Sequence, residues 1–518
     1  MKTFSFNRYS IILLISILLS SSSVYAQRKS QNKIANHDQT KAKTEALQYL
    51  SDTVNIKHYG KISDAIWDYA ELGMQEFKSS ALLIKTLEDE GFKIEKGVAG
   101  MPTCFVASWG SGKPVIGILG EFDALPGLSQ KANSPVKIPV VSGAPGHGCG
   151  LNMMGTAGVA AAIAAKKSIE KNRLQGTIKF FGSPAEETLI SRPYMVRDGV
   201  FRDVDAVIDN HASSGLSTSY GVAGNAVISV VFSFKGKTAH AASAPWAGIS
   251  ALDGVELMNV AVNYLREHLF YTARMHYVIK EGGEAPNVVP DKASVWYYVR
   301  NTDERLMETY KRVLDCAKGA AISSGATLDT VTVLTAIHQR HSNKALAQII
   351  QQNIELIGMP EYSEQEQLFA KSLQKELGEK ETGYSNSIQP LKDPSLNELD
   401  GSSSDVGEVT MIAPTATVLF PGEVPGSVAH HWSVVTCNYG PTAWKGLNTG
   451  AKVIAATAID LFTNPKLLEG IKKEFEEQSK EHPYKSFLPD GAKPPLELNK
   501  VLMEKYRNAM MQSSQTEN

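Results

Sequence analysis

The chain has 518 residues, of which 43% are hydrophobic and 20% are charged, and this ordinary globular composition excludes a collagen-like, coiled-coil or wholly disordered protein. Lys and Arg number 52 against 54 Asp and Glu, so no basic excess indicates nucleic acid or an anionic membrane surface as a partner. Four cysteines in so long a chain are too few for a disulfide framework.

The first 26 residues have the pattern of a cleaved export signal. Lys2 and Arg8 precede an apolar run at residues 11–19, and a stretch of small residues ends at Ala26. We therefore predict cleavage after Ala26 and a periplasmic or extracellular mature protein without stable membrane insertion. An uncleaved anchor is the alternative, although the apolar run is shorter than the roughly 20 residues of a membrane-spanning helix.

The mature sequence predicts an α/β domain that is interrupted by a smaller α+β domain. Residues 27–42 lack apolar periodicity and predict a flexible lead-in. Strands alternate with helices over residues 43–225, which predicts a central mixed sheet. The order changes to strand, helix, strand, helix, strand over 226–340, the first domain resumes over 341–475, and a C-terminal tail covers 476–518.

Polar side chains follow the predicted strands of the first domain at the point where each strand ends. The sequence places there, in chain order, Glu121, Asp123, Glu186, Glu187 and His211. Ligands of α/β sheets gather at these strand ends. Two adjacent carboxylates on an extended segment point to different sides, so one can bind a metal while the other takes a proton. A solvated acidic turn is the alternative for the Glu-Glu pair.

Cys149 lies between glycines in a loop that can present a thiolate to a metal, although a lone Cys is more often a small buried hydrophobic residue. His211 and His430, the latter in a Gly-rich segment, complete with Cys149 and a strand-end Glu a ligand set that suits zinc. His147 stands two residues from Cys149, which leaves a cysteine hydrolase as an alternative.

Four segments together resemble a known family, namely Gly120–Gly127, Gly146–Gly150, Pro184–Glu187 and Gly401–Trp432. They are similar to the amidohydrolase branch of the aminoacylase and carboxypeptidase-G-like zinc metallopeptidases. The resemblance implies a catalytic domain with a central metal site and an inserted lid domain that also forms a homodimer. It further implies hydrolysis of a small N-acyl, aminobenzoyl or peptidyl amino acid that has a free carboxylate.

The resemblance also assigns roles in the catalytic domain. The positions that match metal ligands are Cys149, Glu187, His211 and His430. The expected cofactor is zinc or another divalent metal such as manganese or cobalt, with one or two ions per chain. Glu186 matches the general base that takes a proton from the attacking water, and Asp123 matches an acid that supports the metal ligands.

Three residues of the predicted lid match positions that handle the substrate. His240 matches a histidine that reaches the active site of a neighbouring subunit and steadies the oxyanion. Asn287 and Arg300 match positions that hold the substrate carboxylate. The alternatives are an Asn287 that caps a turn and an Arg300 that only pairs with an acid.

One position departs from the family pattern. Leu151 stands where the branch usually has a metal-binding histidine, and its side chain cannot coordinate an ion. Three outcomes are open: one metal suffices, a nearby group substitutes, or turnover is lost and the chain is a binding protein of the same fold. Glu121 is the first candidate substitute and His147 the second, while the retained Glu186 argues against simple loss of function.

Overall fold

The computed structural model describes residues 40–391 and 401–516. The predicted export signal and its cleavage site lie outside these residues, as does the lead-in up to residue 39. Residues 40–42 already belong to a helix that covers 40–51. Within the described ranges, no helix is both long enough and apolar enough to cross a membrane.

The described chain contains twelve strands and fourteen α-helices. The strands are β1 (Lys93–Lys96), β2 (Phe105–Ser111), β3 (Val115–Glu121), β4 (Gly176–Ser183), β5 (Ala206–Ser213), β6 (Gly221–Ala223), β7 (Ala226–Lys235), β8 (Arg274–Glu281), β9 (Lys292–Asn301), β10 (Thr327–Ile337), β11 (Arg340–Ser342) and β12 (Thr415–Pro421). The helices are α1 (40–51), α2 (Thr53–Tyr69), α3 (Phe77–Asp89), α4 (Leu151–Asn172), α5 (Ser191–Arg197), α6 (Ala251–Leu265), α7 (Asp303–Ser324), α8 (Lys344–Ile357), α9 (Glu364–Glu376), α10 (Val406–Thr410), α11 (Trp432–Val435), α12 (Pro441–Thr463), α13 (Pro465–Glu481) and α14 (Lys500–Thr516).

The larger sheet has six strands in the order β1-β2-β4-β3-β5-β12. The pairs β4-β3, β3-β5 and β5-β12 are parallel, whereas β1-β2 and β2-β4 are antiparallel. This arrangement confirms the predicted α/β fold with a central mixed sheet. The four parallel strands all end at one edge, so the residues that follow β3, β4 and β5 meet there.

Close packing of α4 on β3 fixes the beginning of α4 beside that edge. A Cβ atom on Gly155 would lie only 2.5 Å from the carbonyl oxygen of Glu121, so glycine permits an approach that alanine would block. The small-residue run that follows in α4 is almost wholly buried. The helix therefore starts at Leu151 directly behind the last residue of β3.

The second sheet is antiparallel, with the order β10-β7-β9-β8, and α6 and α7 pack against it. Its strands and helices lie between Ala226 and Ile337 and enclose a separate hydrophobic core. The two crossings between the sheets pair with each other as the short ribbon β6-β11. The edge strand β8 exposes apolar side chains, including Val278 and Ile279. The predicted domain limits stay predictions, and the limit at residue 475 falls inside α13.

Candidate active site and metal centre

Four donor side chains from separate segments meet at the carboxyl edge of the parallel strands. One ligand atom each of Cys149, Glu187 and His430 lie within 4.8 Å of one another. The fourth side chain, His211 at the end of β5, places Nε2 3.5 Å from the Cys149 Sγ. The structure thus brings together the four residues that the sequence marked as candidate metal ligands.

Backbone contacts hold both histidines in orientations that suit metal binding. His211 Nδ1 lies 2.6 Å from the Ala212 carbonyl oxygen and donates its proton there, which leaves the Nε2 lone pair directed toward Cys149. The His430 backbone N–H donates to the Gly148 carbonyl oxygen at 2.9 Å and ties the two ligand loops together. His430 Nε2 lies 3.2 Å from Glu187 Oε2.

The chemistry of this donor set fits one divalent metal ion. A thiol, a carboxylate and two imidazoles are ordinary zinc ligands, and four donors satisfy a tetrahedral site. Burial, together with the charges of Glu187 and Glu186, raises the pKa of the Cys149 thiol well above its usual range. A cation at the cluster would reverse this cost, because it stabilises both the thiolate and the carboxylates. The protonated thiol also argues against Cys149 as a free nucleophile.

Asp123 fixes the segment that carries the two glutamates. Its Oδ1 accepts the backbone N–H of Glu186 at 2.9 Å and its Oδ2 accepts that of Glu187 at 3.2 Å. Ala185, which precedes them, has a left-handed φ of 55° and donates its N–H to Glu76 Oε1 at 2.8 Å. Two buried acids therefore position the Glu-Glu pair through its backbone. Glu76 carries no sequence signal that distinguishes it from any other glutamate near a helix start.

Glu186 faces a second, wholly acidic group rather than solvent. It is 6% exposed, and Glu186, Glu121 and Asp405 each offer an oxygen within 4.8 Å of the others. Burial, followed by the charges of Asp405 and Glu187, raises the pKa of Glu186 well above its usual range. Glu121 belongs to this group, and the structure does not place it with Cys149, Glu187 and His430.

A buried arginine is paired with this acidic group. Arg192 at the start of α5 is 0% exposed, and its Nη2 lies 2.7 Å from Glu121 Oε1, while its Nη1 donates to Asp405 Oδ1. Sequence reasoning missed Arg192 and noted Asp405 only as part of a Gly- and Ser-rich run. The two residues are 213 positions apart, and nothing in a single sequence links them.

His147 and Leu151 do not contribute to the cluster. His147 Nε2 lies 3.1 Å from the Ile66 carbonyl oxygen, and burial lowers the pKa of His147 to about 4. Leu151 is fully buried in the main hydrophobic core. Cys149 Sγ has His211 rather than His147 as its imidazole neighbour.

The three candidate residues of the second domain are spread out. His240 and Asn287 are exposed, and no hydrogen bond in the described ranges joins either to the metal-ligand cluster. Arg300 is partly buried and donates to Ser403 Oγ at 2.6 Å. Its charge opposes the rise in the pKa of His430 that the hydrogen bond to Glu187 causes, so Arg300 faces the same cleft.

Comparison with known proteins agrees with this site. The family model described as peptidase family M20/M25/M40 matches residues 117–362. One of the p-aminobenzoyl-glutamate hydrolase subunits of Escherichia coli (strain K12) is 36% identical over 87% of this chain and 99% of that protein. The Xaa-Arg dipeptidase of Mus musculus is 29% identical over 80% of this chain and 88% of that protein.

Solved structures share the fold. An aminobenzoyl-glutamate utilization protein from Klebsiella pneumoniae gives a TM-score of 0.54 at 15% identity, over 80% of this chain and 97% of that one. A dinuclear metal-binding M20 peptidase of Bacillus subtilis gives 0.51 at 17% identity, over 79% and 99%. These relatives confirm the resemblance drawn from the motifs, including that to aminobenzoyl-glutamate utilisation protein B. The chain belongs to the M20/M25/M40 peptidase family and is a metal-dependent hydrolase of amide bonds.

Proposed function

We propose that this protein is an exported amidohydrolase that cleaves a small N-acyl, aminobenzoyl or peptidyl amino acid and holds its metal through Cys149, Glu187, His211 and His430. The observation that carries the proposal is the meeting of these four donors at one strand edge. Zinc suits the thiol and the imidazoles best, and manganese and cobalt are the other candidates. A metal ion bound there would polarise the amide carbonyl and lower the pKa of water.

Glu186 acts as the general base in this proposal. Its carboxylate stands next to the ligand Glu187 and is shielded from solvent, and its backbone is fixed by Asp123. From that position Glu186 takes a proton from the attacking water and returns it to the departing amine. Asp123 is a positioning residue, because its carboxylate is occupied by the two backbone N–H groups.

The substrate carboxylate is proposed to bind near Arg300 and Asn287. Arg300 retains an Nε–H that is buried and has no hydrogen-bond partner in the described ranges. Guanidinium groups bind carboxylates in this way, often with two parallel hydrogen bonds. Named substrates of the relatives agree with such a group, since aminobenzoyl-glutamate and an Xaa-Arg dipeptide both end in a carboxylate.

His240 is proposed to serve the active site of a second subunit. Its Nδ1 accepts the backbone N–H groups of Ala242 and Ser243, so the ring proton is on Nε2 and remains available to an oxyanion. The exposed position of His240 in a single chain supports a homodimer in which this donor crosses between subunits. Because the Escherichia coli relative is named as one of several hydrolase subunits, a different partner chain is the alternative.

Removal of metal tests the central proposal. We expect dialysis against a chelator to lower the hydrolysis of aminobenzoyl-glutamate and of N-acyl amino acids at least about a hundredfold, since a Lewis acid contributes several kcal/mol to such reactions. Addition of zinc, manganese or cobalt should restore the rate. A cysteine hydrolase would keep its activity in chelator and lose it only on alkylation. A binding protein would bind these compounds without turnover in either state.

Export is tested separately by the mature N-terminus. We expect protein recovered from the periplasm or medium of a bacterial host to begin at Gln27, because a small-residue cleavage site precedes it. As a matched control, Leu14→Arg places a charge in the apolar run and should keep the full-length chain in the cytoplasm. A membrane fraction that retains the chain with Met1 intact would instead support the uncleaved anchor.

A further inference from the structure

The acidic group beside the metal-ligand cluster contains an internal cation. Glu121, Glu186 and Asp405 come together in the interior, and Arg192 contacts two of them directly. The ion pairs have side-chain exposures of 0% for Arg192, 3% for Glu121 and 0% for Asp405. Buried carboxylates at such distances are normally neutralised by a metal ion or by a paired basic side chain.

Arg192 is held in place by more than its guanidinium. The Arg192 backbone N–H donates to Asp405 Oδ2 at 3.1 Å, and the neighbouring Ser191 hydroxyl donates to the same oxygen at 3.3 Å. Asp405 therefore binds both the backbone and the side chain of the start of α5. A guanidinium anchored at both ends cannot leave the acidic group without breaking these contacts.

The residues left at this position do not fit a second metal ion. Leu151 offers a hydrocarbon where the family pattern has an imidazole, and it is packed in the main core. Glu121 is already paired with Arg192 through Oε1. The other Glu121 oxygen, Oε2, is buried and has no hydrogen-bond partner in the described part of the chain. One free oxygen on Glu121 and a fixed positive charge oppose the binding of another cation.

We propose that the Arg192 guanidinium replaces a second metal ion, so that the Glu121, Glu186 and Asp405 side of the centre is neutralised by the chain itself and the protein binds a single metal. This inference rests on the proposed function, since it takes the four-donor cluster as the one metal site. Arg192 is a positioning residue in this scheme. It holds Glu121 and Asp405 apart from the metal and keeps Glu186 free of a second ion.

Metal counting tests the role of Arg192. Wild-type protein dialysed against manganese or zinc should contain one equivalent per chain by elemental analysis. Arg192→Gln removes the charge and frees three carboxylates whose oxygens suit manganese, so we expect a second equivalent and a rise in melting temperature on manganese addition. The matched control Arg192→Lys keeps a cation and should still bind one equivalent. A purely structural Arg192 would leave the stoichiometry at one in both variants.

A second variant keeps the test decisive where loss of Arg192 prevents folding. Leu151→His restores the missing imidazole while Arg192 stays in place, and we expect this variant to bind one metal, as the wild type does. A second equivalent in Leu151→His, or in the wild type, would overturn the role of Arg192 and leave the proposed hydrolase intact. A wild-type protein without any bound metal would instead overturn the proposed function.

Discussion

Glu186→Gln should reduce the turnover of any amide substrate by at least about a hundredfold, which is typical for the loss of a general base. The amide side chain keeps the size of the glutamate but cannot accept the proton of the attacking water. Because Asp123 holds the backbone N–H groups of both glutamates, the substitution should not move Glu187. The variant should therefore retain its full complement of metal.

Two measurements on the same preparation separate the role of Glu186 from that of its neighbour. Steady-state kinetics should give a low kcat for Glu186→Gln while elemental analysis gives the wild-type metal content. The matched variant Glu187→Gln removes a carboxylate that lies 3.2 Å from His430, and we expect it to lose metal as well as activity. Near-normal turnover in Glu186→Gln would exclude the general-base role.

The position of the catalytic region was accessible from sequence because parallel strands order their ends. Glu186, Glu187 and His211 each follow a buried β-rich run, and the sheet brings those runs together whatever the connecting helices do. Cys149 and His430 have no such local signal. Their assignment depended on the family resemblance, and their loops are joined in the structure by a backbone hydrogen bond across Gly148.

The surroundings of Glu121 were not accessible from sequence. Its place at the end of β3 made it a reasonable candidate metal ligand, since strand ends collect ligands. The outcome depends on Arg192, which reaches it from α5, and on Asp405, which comes from the other half of the catalytic sequence. Burial of these three charges together is a tertiary effect, and neither residue type nor spacing encodes it.

The second domain poses the opposite problem, because His240 is exposed where a catalytic role would require contact with substrate. A fold of one chain cannot resolve this if the partner surface belongs to another chain. The exposed apolar side chains of the edge strand β8 lie in the same domain, and an edge strand is a ready template for pairing with a second subunit. The trans arrangement of His240 is therefore a question about assembly rather than about residue chemistry.

Subunit exchange answers that question. His240→Ala should lower kcat by about a hundredfold or more, the effect of removing one oxyanion donor in comparable enzymes. If His240 acts across the dimer, mixing inactive Glu186→Gln and His240→Ala homodimers should restore activity, because one of the two hybrid sites combines a wild-type Glu186 with a wild-type His240. With equal amounts and random exchange, the recovered rate should approach about a quarter of the wild-type rate, as the symmetry of a two-fold dimer requires. Exchange is followed independently by mass spectrometry of differently tagged subunits. A mixture of Glu186→Gln with Glu187→Gln is the matched control, since both changes lie in the same half-site and no hybrid site is intact. Proven exchange without recovery in the first mixture would place His240 within its own chain's chemistry or outside catalysis altogether.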